Sequence, residues 1–109
     1  METSGSRSSP SMDDDPAAVG PVLTPGPLTD AVIAAIRAAN LGVTVVDRGA
    51  YLRVLVPGRC RLDGARVETF AGTAFQLPGD LEAIMPSFRG RLTIGSDQAL
   101  WELAGSATP

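Results

Sequence analysis

The fold is decided by one stretch of the sequence, Val43-Thr44-Val45-Val46-Asp47-Arg48-Gly49-Ala50-Tyr51-Leu52-Arg53-Val54-Leu55-Val56-Pro57-Gly58-Arg59-Cys60-Arg61-Leu62. Most of its residues are β-branched or aromatic strand formers, and the pairs Arg48-Gly49 and Pro57-Gly58 are typical of tight turns. The stretch therefore predicts three short strands joined by two turns. Side chains alternate between faces along a strand, so one face of the middle strand is apolar and the other carries Tyr51, Arg53 and Leu55. Another element of the fold must therefore pack against the apolar face.

Residues 28–40 predict the helix that covers this sheet. Apolar residues recur there at three- and four-residue spacing, namely Leu28, Val32, Ile33, Ala35, Ile36 and Ala39. Asn40 and Gly42 supply the stop signal. The preceding residues 19–23 form a short extended segment, which Pro21 is expected to confine to a sheet edge.

The rest of the chain predicts two short helices and two strands. Asp63 caps a helix with Val67 and Phe70 as its buried side, and Gly79–Met85 forms the next helix. A strand is expected over Ser87–Ile94 and a closing strand over Gln98–Leu103. The fold class is therefore α+β, with antiparallel sheets in the order β-α-β-β-β-α-α-β-β, covered by one longer and two short helices.

The 109 residues predict one domain, residues 19–103, between two ends of different composition. Residues 1–18 are rich in Ser, Asp and Pro and include the run Asp13-Asp14-Asp15. Such a segment buries too little apolar surface to offset its ordering entropy, so we expect a disordered tail. It is either a solvated tail or a segment that orders on a partner. Residues 104–109 are expected to form a flexible end.

Charge and composition exclude several classes of partner. From Val19 onward there are eight acidic residues and eight arginines, without a basic stripe, so nucleic-acid binding is not expected. The longest apolar run, Ala31–Ile36, is far shorter than the roughly 18 residues of a membrane span. The sequence begins without an apolar signal-peptide core, and Cys60 is the single cysteine. We expect a cytoplasmic protein, monomeric when free.

The sequence also lacks most of the residues that carry chemistry. It contains no histidine and no lysine, and one cysteine cannot form a structural zinc site. No phosphate-binding glycine loop is present. Cys60 is expected to be a buried packing residue. We therefore predict no catalytic residues, no metal and no cofactor, and an enzyme would have to use Asp47 or Asp63 as a lone base.

Four segments follow one another along the chain: Val19-Gly20-Pro21-Val22-Leu23, Val46-Asp47-Arg48-Gly49-Ala50-Tyr51-Leu52-Arg53-Val54, Pro57-Gly58-Arg59-Cys60 and Leu81-Glu82-Ala83-Ile84-Met85-Pro86-Ser87-Phe88-Arg89-Gly90. Their order and spacing resemble a known family, the coupling (effector) proteins of bacterial multicomponent monooxygenases. This family includes the methane monooxygenase regulatory protein and the phenol hydroxylase and toluene monooxygenase effectors. The resemblance covers residues 19–103 and is nearest to the toluene and alkene branch.

The resemblance implies a small, cofactor-free α+β protein that catalyses nothing alone. Such a protein binds a hydroxylase with a diiron centre, which receives electrons from NADH through a reductase. Binding would tune oxygen activation, substrate access and the coupling of NADH oxidation to hydroxylation or epoxidation of an aromatic or alkene. The alternative is a stand-alone domain that binds an apolar small molecule in the cleft between sheet and helices.

The hydroxylase-binding residues are predicted from residue type, because interface cores favour arginine and aromatic side chains. The candidates lie on the outward face of the middle strand, at its two turns and at the start of a later strand: Arg48, Tyr51, Arg53, Arg59, Arg61, Ser87, Phe88 and Arg89. The alternative is that the arginines only solubilise one sheet face. Phe88 could equally turn into the core.

Overall fold

The computed structural model describes residues 16–103. The predicted tail, apart from its last three residues, and the predicted flexible end lie outside this range. The elements are β1 (Ala18–Leu23), α1 (Pro27–Ala39), β2 (Thr44–Asp47), β3 (Leu52–Pro57), β4 (Arg59–Asp63), α2 (Gly64–Ala71), α3 (Gly79–Ile84), β5 (Ser87–Arg89), β6 (Arg91–Ile94) and β7 (Gln98–Glu102). No helix within the described residues is long and apolar enough to cross a membrane.

The strands form two antiparallel sheets, so the predicted α+β class is confirmed. The first sheet has the order β2-β3-β1-β5, and the second has the order β4-β7-β6. The element order differs from the prediction at one place, because the strand expected over Ser87–Ile94 is two strands. Gly90 separates them at φ 100°, and β5 and β6 pair in different sheets.

The expected three-stranded meander is only half correct. β2 and β3 form a hairpin, in which Arg48 N–H donates to the Tyr51 carbonyl at 2.9 Å and Gly49 N–H donates to Asp47 Oδ1 at 2.8 Å. β4 does not pair with β3 but joins β7 in the second sheet. Gly58, at φ 75°, turns the chain there, and its N–H donates to the carbonyl of Ala17 at 2.8 Å. Pro57-Gly58 is therefore a crossing between sheets.

The prediction that Pro21 confines β1 to a sheet edge is wrong, because β1 lies between β3 and β5. The pairing of β1 with β3 holds at both ends of the strand and is interrupted at Gly20 and Pro21. Pro21, which has no N–H to donate, therefore falls in a gap of this ladder and pairs in register with Phe88 of β5.

One core fills the space between the inner faces of the sheets and the helices. It includes Val19, Val54, Ile36, Leu62, Val67, Leu81 and Trp101, all nearly or completely buried. α1 runs closest to α2 and β4. The Asn40 amide side chain joins α1 to the edge of β4, because Nδ2 donates to the carbonyls of Ile36 at 2.7 Å and Arg61 at 2.8 Å, and Oδ1 accepts from Arg61 N–H at 2.9 Å.

The second helix begins as predicted but buries less than expected. Asp63 Oδ1 accepts from Ala65 N–H at 3.1 Å, which is the predicted cap, and Val67 is fully buried. Phe70 is 50% exposed, so its assignment to the buried side is wrong. It lies two residues before Gly72, where the helix ends in a left-handed conformation at the margin of the core.

Candidate docking surface

The outer face of the first sheet carries four of the predicted site residues. Residues that pair directly in an antiparallel sheet project to the same face. Arg53 pairs with Val46 on one side and with Val22 on the other, and Val22 pairs with Ser87. These four residues form one row across the sheet. Tyr51 comes two residues before Arg53, immediately before β3 begins, and alternation along the extended chain directs it to the same side.

The next row on this face contains the second arginine. Arg89 pairs with Gly20, and Leu55 pairs with Thr44. Leu55 is 1% exposed although it lies outside the core cluster, whereas Arg53 and Arg89 are half-buried. We call the set Tyr51, Arg53, Ser87 and Arg89, with Val22 and Val46 between them, the arginine face. It combines guanidinium groups, a ring and partly exposed valines, which is the composition typical of interface cores.

Arg59 and Arg61 lie on a different surface, the outer face of the second sheet. Arg59 pairs with Glu102, and Arg61 pairs with Leu100. Arg59 Nη2 lies 3.2 Å from Glu102 Oε2, and the Arg59 side chain is 66% exposed. At such exposure an ion pair contributes little stability. The structure therefore does not bring these two arginines together with Arg53.

The two remaining candidates are separate from both faces. Arg48 is exposed in the β2–β3 turn. Phe88 pairs with Pro21 and is out of phase with Ser87 and Arg89, so it projects towards the inner side of the first sheet. It remains 42% exposed because β5 is the edge strand.

The described arginines and acids are distributed unequally. Six of the eight arginines lie on strands or their turns: Arg48, Arg53, Arg59, Arg61, Arg89 and Arg91. The three helices carry the acids Asp30, Glu68, Asp80 and Glu82 and only two arginines. The sheet surfaces are therefore the more basic side of the domain, and the helices the more acidic side.

The residues considered for chemistry have structural roles. Cys60 is fully buried opposite Trp101, and burial raises the pKa of its thiol to about 12, so the reactive thiolate is scarce at neutral pH. The prediction that Cys60 is a packing residue is confirmed. Asp47 accepts a turn hydrogen bond and Asp63 caps a helix. Within residues 16–103, no group of three or more His, Cys, Asp or Glu could hold a metal ion.

The structure also contains a groove that sequence reasoning missed. It has a volume of about 470 Å³ and lies between the start of α1, the end of α2 and the start of α3. Its lining residues are Pro27, Leu28, Phe70, Ala71, Thr73, Ala74 and Asp80. The only signal for this groove in the sequence is the position of Phe70, two residues before the glycine that ends its helix. The ligand cleft of the alternative hypothesis was expected between sheet and helices, where the core is packed.

Comparison with known proteins decides the family. Residues 17–102 match the sequence profile of the MmoB/DmpM family. The chain belongs to this family. It is 42% identical over 91 residues to the effector subunit of the alkene monooxygenase system of Xanthobacter autotrophicus, across 82% of this chain and 89% of the relative. The predicted resemblance to monooxygenase effectors is therefore confirmed.

Two solved structures share the MmoB/DmpM fold. A chain of the phenol hydroxylase–regulatory protein complex superimposes with a TM-score of 0.69 at 14% identity, over 78% of this chain and 95% of that chain. The soluble methane monooxygenase regulatory protein B superimposes with a TM-score of 0.62 at 20% identity, over 87% of this chain and 72% of that chain. The related proteins are named effector or regulatory components, so this MmoB/DmpM protein is an accessory component and not a catalytic one.

Proposed function

We propose that this protein binds the diiron hydroxylase of a multicomponent monooxygenase and tunes its oxygen activation, substrate access and use of NADH. The observation that carries the proposal is the 42% identity to an alkene monooxygenase effector subunit, because the match spans most of both chains. The oxidised substrate would be an alkene or an aromatic compound. Its identity is determined by the hydroxylase pocket, which is another chain.

The proposed mechanism is a shift between two conformations of the hydroxylase. An effector that forms no covalent bond can change the hydroxylase only through its different affinities for two hydroxylase conformations. A tenfold difference in affinity corresponds to about 1.4 kcal/mol of conformational bias. The packed core suits this role, because a preorganised surface spends little binding energy on its own ordering.

The surface that we propose for this contact is the arginine face. Its arginines stand on strands whose register is set by cross-strand pairing, so their backbone positions are fixed before binding. Arginine makes forked hydrogen bonds to carboxylates, and Tyr51 supplies an aromatic surface beside them. Arg48, Arg59, Arg61 and Phe88 remain candidates for contacts outside this face.

A binding titration tests the proposal. Hydroxylase labelled with a fluorophore is titrated with the purified protein, and the change in emission is followed to saturation. We expect saturable binding, competed by unlabelled hydroxylase. The proposal would be overturned if no binding were seen even at protein concentrations well above those of an accessory component in a working enzyme mixture.

A further inference from the structure

The groove between the helices has the dimensions of a binding site. Its volume of about 470 Å³ falls within the range of roughly 300–1,000 Å³ typical of ligand pockets. Leu28 and Ala71 pack against the core from their inner sides and form walls of the groove on their outer sides. These walls are therefore held in place by the core, and the groove exists before any occupant arrives.

Phe70 gives this groove an exposed aromatic wall. The side chain is 50% exposed, whereas Val67, one turn earlier, is fully buried. Aromatic side chains, Phe among them, are enriched in the cores of protein interfaces, where the residues that dominate binding energy lie. Phe70 therefore offers an aromatic surface to an occupant of the groove.

Asp80 determines the chemistry that the groove accepts. Among the described residues that line the groove it is the only ionisable one, and it is half-buried. Its Oδ2 accepts from Gln76 N–H at 2.8 Å. Asp30 lies one turn after Pro27 on the same side of α1. Arg66, one turn before Phe70, is exposed and does not line the groove. A cation beside an apolar group is the complementary ligand.

We propose that the groove receives an apolar side chain and an adjacent arginine or lysine of the hydroxylase. This inference rests on the proposed function and adds a second contact to it. The groove lies on the helical side of the core and is acidic, whereas the arginine face lies on the outer side of the first sheet and is basic. A hydroxylase that binds the groove and the arginine face must contact two sides of the domain. The opposite charges of these two surfaces then fix the orientation of the bound protein.

Four variants in the binding titration test this inference. Phe70→Ala removes the aromatic wall, and Asp80→Asn removes the charge while keeping an oxygen for Gln76 N–H. The matched controls are Leu41→Ala, an apolar residue that is 92% exposed outside the groove, and Glu82→Gln, an exposed acid of the same helix as Asp80. We expect the dissociation constant to rise about tenfold for Phe70→Ala and about threefold or more for Asp80→Asn, with both controls within about twofold of wild type.

The outcomes separate the groove from the proposed function. If wild type binds and the groove variants bind equally well, the groove inference is overturned and the proposed function stands. If wild type does not bind, the proposed function fails. The groove is then tested by NMR titration with 2-phenylethylammonium, an apolar ring with a cation. Shifts at Phe70, Ala71 and Asp80 that phenylacetate does not cause support the groove chemistry, and shifts elsewhere or equal shifts with phenylacetate overturn it.

Discussion

At the scale of single residues, two glycines permit the backbone contacts on which both sheets depend. A Cβ on Gly20 would lie 2.1 Å from the carbonyl oxygen of Val54. A Cβ on Gly90 would lie 2.5 Å from the carbonyl oxygen of Glu102 and 2.9 Å from Val19 Cγ1. Both contacts are with backbone or core atoms, which cannot move aside cheaply. Gly20 lets β1 sit close to β3, and Gly90 lets the chain pass from one sheet to the other.

Replacing Gly20 should therefore be far more damaging than replacing a glycine in an open turn. We expect Gly20→Ala to lower the free energy of unfolding by more than about 3 kcal/mol, because a side chain there overlaps the backbone. Gly49→Ala is the control, since Gly49 is at φ 82° with nothing within 4 Å, and only the roughly 1–2 kcal/mol cost of a left-handed backbone applies. Urea denaturation measures both, and equal losses would contradict the close-contact argument.

The buried thiol of Cys60 predicts a loss of stability in alkali. Its pKa in the folded protein, about 12, lies above the ordinary value of 9.0, so between these values the unfolded chain is ionised and the folded chain is not. The contribution to stability is complete below pH 9 and falls by about 1.4 kcal/mol per pH unit above it. The difference in unfolding free energy between wild type and Cys60→Ala should therefore shrink from pH 8 to pH 10. A pH-independent difference would contradict this account.

At the scale of elements, helices could be located from the sequence, but the partners of strands could not. The helix of residues 28–40 is found at Pro27–Ala39, because the spacing of Val32, Ala35 and Ile36 is a local signal. Alternation shows which face of a strand is apolar but not which strand lies beside it. Pro57-Gly58 suits a hairpin or a crossing, and only the contacts of Gly58 with Ala17 and Leu103 decide for the crossing.

The sequence identifies Asn40 only as a helix stop signal, but its side chain has a larger structural role. Its amide pairs with both backbone groups of Arg61, in the manner of a neighbouring strand, at the open edge of β4. Such pairing protects an edge strand. The sequence gives no sign of this, because residues 40 and 61 come together only when the whole domain folds.

Asn40→Ala should weaken the junction between α1 and β4. Three hydrogen bonds are lost, and water replaces part of them at this exposed edge, so we expect a loss of about 1–3 kcal/mol in unfolding free energy. Hydrogen exchange at the Arg61 amide should accelerate in the variant. The neighbouring Leu41→Ala, at a 92% exposed residue, serves as the control and should leave both unchanged. Protection of the Arg61 amide equal to wild type would show that Asn40 does not hold this edge.

At the scale of the whole molecule, the predicted site residues could be chosen by type but not grouped. Tyr51, Arg53, Ser87 and Arg89 do share a face, because β1 pairs with β3 on one side and with β5 on the other and so joins these strands in one sheet. Arg59 and Arg61 would join them only if the three predicted strands formed a continuous meander. The crossing at Gly58 carries them to the second sheet. The pairing of strands that are distant in the sequence determines which arginines share a face, and no local sequence pattern encodes that pairing.

The grouping predicts a specific loss of hydroxylase affinity. We expect Arg53→Ala to weaken binding by about 1–3 kcal/mol, typical of an interface anchor, with the folded structure retained by circular dichroism. Arg37→Ala removes an exposed arginine from the last turn of α1, away from the arginine face, and should bind like wild type. Equal affinities for the two variants would show that the arginine face is not the contact.

The central claim is that this protein alters the hydroxylase reaction without taking part in its chemistry. The most direct measurement is the product formed per NADH oxidised by purified hydroxylase and reductase, with a small alkene or aromatic substrate, as this protein is added. We predict that the yield per NADH or the turnover changes to a plateau as the hydroxylase saturates, while the protein alone consumes no substrate. A yield and turnover that stay constant at every concentration would contradict the account.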